Sequence, residues 1–207
     1  IGLGIPAEPL FRSHNLDQER LIERFQLNHD GQWLYLRYLG QQLKLSRTSG
    51  KVLFADREEI PEFDTVITVY NMFYYAKEHP AASGELVPFR LVKRVYPFER
   101  AYQKQILEPF ARLFSGHVKE LREACEKLGG TKLPQGDVGY RIPVYPYFDM
   151  AVLFWDRDDE FEAQGNMLFD SNITDFVHEE NVVCIAADAV RYLSRAAGLE
   201  EMKIYAG

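Results

Sequence analysis

The 207 residues carry 24 Lys and Arg against 31 Asp and Glu, a formal net charge of −7, with 46% hydrophobic and 27% charged residues. That balance belongs to a soluble globule and argues against a disordered chain or a membrane span. The acidic background also opposes nucleic acid, whose phosphates dominate protein affinity. The length suits one core, and so a single domain over 1–207.

The first 14 residues hold Gly2, Gly4, Pro6 and Pro9 and are expected to form an extended arm. The chain begins at Ile1 rather than Met, which leaves an upstream segment open, and no charged stretch followed by an apolar one marks a secretory leader. Leu16, Leu21, Ile22 and Phe25 fit one face of a short helix, with Ser13 or Asn15 as its cap. Asp30-Gly31 then signals a turn. Trp33 to Tyr38, Leu43 to Leu45 and Val52 to Phe54 follow as short strands with short connections, which reads as an antiparallel meander.

Pro61 opens a helix in which Phe63, Val66, Ile67, Val69, Tyr70, Phe73, Tyr74 and Ala76 cover more than one face. It is expected to be central, buried around much of its circumference, and ended by His79-Pro80. Pro88-Phe89-Arg90 is extended. A helical zone runs from Phe98 to Leu128 with a break at Gly116, and Gly129-Gly130 supplies its permissive end. Pro143 and Pro146 are expected to interrupt strand pairing on the approach to Met150.

Met150 to Trp155 is an unbroken apolar run of the kind that forms a strand buried on both faces. A polar turn follows, Asp156 to Glu160, and Phe161 to Asp170 returns as the second strand of a hairpin at the centre of a sheet. Asp170 or Ser171 is placed to cap a short helix. The last helix begins near Glu179, with Val182, Val183, Ala186, Ala189, Val190 and Leu193 at helical spacing, and Met202 to Tyr205 is a terminal strand or tail. The fold class is therefore α+β, an antiparallel meander and a hairpin unit packed with helices. Cys125 and Cys184 sit in the helical segments without metal-ligand spacing, which points to a reducing compartment.

One stretch carries a resemblance. The apolar strand into Trp155, then Asp159, Glu160, Phe161, Ala163, Leu168, Phe169 and Asp170, and the pair Glu179-Glu180 resemble the domain-of-unknown-function family 3786. Tyr74, Tyr75, Gly84, Glu85 and Phe89-Arg90 echo the same family, although Glu162 and Asn181 stand where its pattern has proline and aspartate. The resemblance implies a cytoplasmic protein of anaerobic bacteria and archaea, set among iron–sulfur and corrinoid proteins, with no established reaction.

Three groups of residues could carry chemistry. Asp156, Asp159, Glu160 and the more distant Asp170 supply hard oxygen ligands of the kind a divalent metal takes. Two ionised carboxylates about 4 Å apart repel by roughly 4 kcal/mol at an effective dielectric near 20, so such a cluster must splay, share a proton or bind a cation. His178, Glu179 and Glu180 lack the second histidine of a zinc protease, and the helix dipole accounts for the acidic pair. Tyr74, Tyr75, Tyr145 and Trp155, with Tyr70 and Tyr147, could line an apolar ligand pocket with hydroxyls at its mouth. The basic residues Arg90, Lys93, Arg94 and Arg100 read as a solvated face.

Three functions stand open on these grounds. The first is a noncatalytic module for a small-molecule ligand or metal cofactor, serving a redox protein partner. The second is a metal-assisted hydrolase or transferase built on the acidic turn. The third is a protein-interaction domain without a small ligand. The cofactor and the oligomeric state are not written in the sequence.

Overall fold

The computed structural model describes residues 17–199. The expected arm, the caps Ser13 and Asn15 and the terminal strand lie outside them. Helix α1 (Gln18–Phe25) is capped by Asp17, whose Oδ1 accepts the Arg20 N–H at 3.1 Å. It buries Leu21 and Phe25. A sheet of four antiparallel strands follows in sequence order: β1 (Asn28–His29), β2 (Trp33–Tyr38), β3 (Gln41–Ser46) and β4 (Val52–Phe54). Leu34, Leu36 and Tyr38 turn inward along β2, which is the period-2 pattern of a half-buried strand. The meander read from the sequence is this sheet.

The Leu39-Gly40 turn between β2 and β3 is driven hard against the rest of the chain. A Cβ at Gly40 would lie 2.8 Å from the Leu128 Cα, and the backbone there has φ +77°. Both facts require glycine. Beside it, the Leu39 N–H donates to the Val144 carbonyl at 2.9 Å, so the turn joins the first sheet to the second.

Helix α2 (Phe63–Tyr75) is buried around much of its circumference, as its sequence implies, but the buried side is not wholly apolar. Phe63, Tyr74 and Tyr75 are exposed, while Asp64, Thr65, Thr68 and Asn71 are buried with Val69, Tyr70, Met72 and Phe73. The helix also ends at Tyr75, before His79-Pro80 is reached. Its inner face is thus partly polar and needs polar partners.

The second sheet has the order β5-β9-β8-β7-β6, all antiparallel: β5 (Leu86–Pro88), β6 (Thr131–Lys132), β7 (Val138–Tyr145), β8 (Phe148–Trp155) and β9 (Gln164–Asp170). The β8–β9 hairpin lies at its centre, as read from the sequence. Met150 to Phe154 is buried, but Trp155 at the strand end is 42% exposed. The prolines do not stop pairing. Pro143 sits within β7 opposite Asp149, the ladder shifts register between Pro143 and Tyr145, and Pro146-Tyr147 forms the two-residue turn into β8. A bulge accommodates the missing N–H where an uninterrupted ladder could not.

Between the sheets' strands runs the helical zone. Helix α3 (Glu99–Tyr102) passes through a π-helical turn (Gln103–Leu107) into α4 (Glu108–Phe114). Pro109 supplies the reason: it has no N–H for the carbonyl four residues back, and the chain widens just before it. After the break at Gly116 comes α5 (Val118–Lys127), and the last long helix is α6 (Asn181–Ala197). Helix α6 packs against both α5 and α2, and its apolar side joins one core with both sheets.

Candidate functional site

The structure separates the carboxylates proposed as metal ligands. Asp170 pairs with Leu86 at one end of β9, while Gln164 at the other end pairs with Trp155 beside the acidic turn. Six residues of strand put Asp170 about 20 Å from that turn. Its buried carboxylate accepts from Ser83 N (3.0 Å), Ser83 Oγ (3.1 Å), Gly84 N (2.8 Å) and Asn172 N (2.9 Å). Four donors satisfy it, and it clamps the loop before β5 rather than capping a helix.

Within the turn, Asp156 Oδ1 accepts the Gly116 N–H at 2.9 Å and so ties the turn to the α4–α5 junction. Asp158 Oδ1 accepts from Glu160 N and Phe161 N, each at 2.8 Å, which holds its carboxyl below the usual range. Asp159 and Glu160 are exposed. Among the described residues no group of three His, Cys, Asp or Glu side chains is placed to hold a metal ion.

The four aromatic candidates are likewise not one pocket. Tyr74 and Tyr75 stack edge to face at 5.0 Å on the outside of α2, with the His178 ring 5.1 Å from Tyr75. Tyr145 is buried against Tyr38, ring centroids 4.9 Å apart. It pairs with Phe148 at the start of β8, and Trp155 ends that strand seven residues on, about 23 Å away.

Trp155 instead stands at an open groove. A cleft of ≈ 720 Å³ lies between the outer face of α4 and the arm leading into β9, and it continues into one of ≈ 450 Å³ that reaches Trp155 and Phe89. Gln103, Leu107, Gln164 and Gly165 line both. Two of them belong to the π-helical turn, a feature often found at functional sites. Arg90, Arg112 and Arg157 line the same groove region without an ion pair to any described residue. Glu99, Glu108 and Glu162 share the lining, so the groove is charged in both senses.

Its floor is the edge of a sheet. Strand β5 pairs only with Leu168 to Asp170, because after Pro88 the chain turns into the short 3₁₀ segment Phe89–Leu91. The register fixes which groups are left over. Ser171 N bonds Glu85 O at 2.9 Å, so alternate residues back along β9, Phe169, Met167 and Gly165, turn their main-chain groups toward the β5 side. Phe169 meets Val87 there. Met167 N–H is taken up by Asn166 Oδ1 at 2.9 Å. Gly165 N–H and C=O face the groove with no strand of the described residues beside them. The Phe110 ring packs on the same glycine, only 2.4 Å from where a Cβ would stand.

A second polar region was not legible as a site. At the α2–α6 contact, the fully buried Asp188 accepts from Tyr38 OH and Thr65 Oγ1, each at 2.9 Å, and Thr65 Oγ1 lies 2.7 Å from Tyr192 OH. Arg191 bridges Asp188 to Asp64, the latter at 3.1 Å. Arg195 pairs with Glu62 at its rim. Asn181 Nδ2 reaches Thr68 at 3.3 Å, and Asn71 Oδ1 takes the His178 N–H at 2.7 Å. Burial pushes the Tyr38, Tyr145 and Tyr192 hydroxyls and the Cys184 thiol up, so all four are neutral. Both cysteines are free. The signal in the sequence was Asp64, Thr65, Thr68 and Asn71 at helical spacing inside an otherwise apolar helix.

These features define an α+β domain of two antiparallel sheets, with an open groove at a sheet edge and a closed polar seam between helices. A family model described as "Domain of unknown function (DUF3786)" matches residues 17–192, and the chain belongs to that family. No curated protein and no solved structure matches it. No helix among the described residues is long and apolar enough to cross a membrane.

Proposed function

We propose that the domain is a noncatalytic binding module and that its ligand occupies the groove beside β9. The observation that carries this reading is the main chain of Gly165, left without a strand partner among the described residues at the edge of a sheet and lining a cleft of ≈ 720 Å³. That volume is of the size that holds a small molecule. An amide-like ligand would complete the interrupted ladder. Trp155 offers a face for its planar or apolar part, and Arg90, Arg112 and Arg157 offer forks for carboxylates. The acidic turn has a positioning role in this reading, since Asp156 and Asp158 are engaged by backbone N–H groups.

A second reading shares the same floor. An extended segment of a protein partner, running on along the line of β5, would add a strand to β9. In the setting implied by the family resemblance, the cytoplasm of an anaerobe, that partner is a redox protein.

Native mass spectrometry of protein purified without oxygen or chelator tests the module. We expect retained mass on the wild-type chain that is lost from a Trp155→Ala, Arg157→Glu double variant. A bare wild-type mass, or equal retention by the variant, would overturn the assignment of the groove. The size of the retained mass separates a small molecule from a peptide segment.

A further inference from the structure

Where α2 meets α6, three carboxylates of the described residues, Glu62, Asp64 and Asp188, lie with two guanidiniums, Arg191 and Arg195. Glu62 is paired with Arg195, which leaves Asp64 and Asp188 to share Arg191. Among the described residues, the other groups near Asp188 are neutral: Tyr38 from β2, Tyr145 from β7, Thr65 from α2, and Cys184 and Tyr192 from α6. The side chain of Asp188 is fully buried and those of Asp64 and Arg191 are nearly so. Two ionised carboxylates on one guanidinium would leave a net negative charge shut away from water, a costly state that a proton removes.

We propose that the Asp64–Asp188 pair takes up one proton when the chain folds and gives it up as the pH rises through neutrality, so that the α2–α6 seam works as a pH-responsive latch. The proton belongs to the pair, since the two carboxyls are linked through Arg191. Burial raises Asp64 above the usual carboxylate range and pushes Asp188 up to about 7. Both shifts have the same sign. The stability they contribute is complete at acid pH, below the unfolded carboxylate value, and is lost as the pH climbs toward neutrality. One proton of difference lowers the folding equilibrium constant by about tenfold for each pH unit within that window.

Urea unfolding of the full chain from pH 5 to 8.5 tests the latch, with Asp64→Asn and Asp188→Asn compared against wild type. We expect the wild-type folding constant to fall by up to about tenfold per pH unit between pH 5 and 7 relative to either variant. Parallel pH profiles for wild type and Asp64→Asn would overturn the proposal. Asp64→Asn keeps the Asp188–Arg191 pair, and so it serves even where Asp188→Asn fails to fold. Infrared spectroscopy at pH 6 gives a second readout: a buried protonated carboxyl band in wild type, absent from Asp64→Asn. A wild-type spectrum without that band would also overturn it.

Discussion

The groove beside β9 and the seam between α2 and α6 are both rich in charge, and they differ in how that charge is met. In the seam most groups have a partner inside the protein, and the exceptions, Glu62 Oε2, Asn71 Nδ2 and Tyr145 OH, are shut away from solvent. Asp188 alone receives three donors, and Arg191 and Thr65 each bridge two groups. In the groove Arg90, Arg112 and Arg157 have no ion pair among the described residues, and Gly165 turns its main chain toward the cleft. Buried polar groups that satisfy each other hold a fold in one arrangement. Polar groups that await a partner are the ones available for recognition.

Substitutions break or sharpen this contrast. The largest effect is expected from Arg191→Met, which strands two buried carboxylates. Chemical denaturation at pH 7 should show a loss of about 3–5 kcal/mol. The deficit should shrink at pH 5, where protonation relieves the stranded charge. Gly165→Ala comes next: its methyl would press on the fully buried Phe110, an overpacking worth about 1–3 kcal/mol. A thermal melt indistinguishable from wild type would show that the α4 contact yields freely. Thr65→Val keeps the shape but removes the hydroxyl between Asp188 and Tyr192, at a cost of about 1–2 kcal/mol by urea titration. Trp155→Ala should change stability least, by about 0.5 kcal/mol, because the ring is half exposed at a strand end. Its effect belongs in ligand retention, and a large loss of stability would make Trp155 a core residue instead.

Much of the scaffold was legible in local pattern. Alternation marked β2 and β3, the apolar run marked β8, and Gly116 marked the break between α4 and α5. These elements follow from period and turn chemistry, which a short window contains. The prolines of β7 misled for the same reason: a window shows the missing N–H but not the bulge and the partner strand that absorb it. The site was less legible. Trp155 was grouped with Tyr74, Tyr75 and Tyr145 because all are aromatic, and the structure sets it apart from them at the groove. Asp170 was grouped with the acidic turn by kind alone, and six residues of strand carry it to the far end of β9. The groove depends on β5 leaving the sheet after Pro88 and on α3–α4 widening before Pro109, two events more than 50 positions from Gly165 in the chain. The seam joins Tyr38 and Thr65 to Asp188, which lies 150 and 123 residues away from them respectively. No local window holds those pairs.

Amide hydrogen exchange resolved along β9 tests the open edge most directly. Gln164 and Asn166 face Trp155 and Leu153 of β8, so their N–H groups should be protected, while the Gly165 N–H between them should exchange at close to an unprotected rate. Slow exchange at Gly165, equal to that of its two neighbours, would mean that the edge is already covered and would contradict the groove as a place for a ligand.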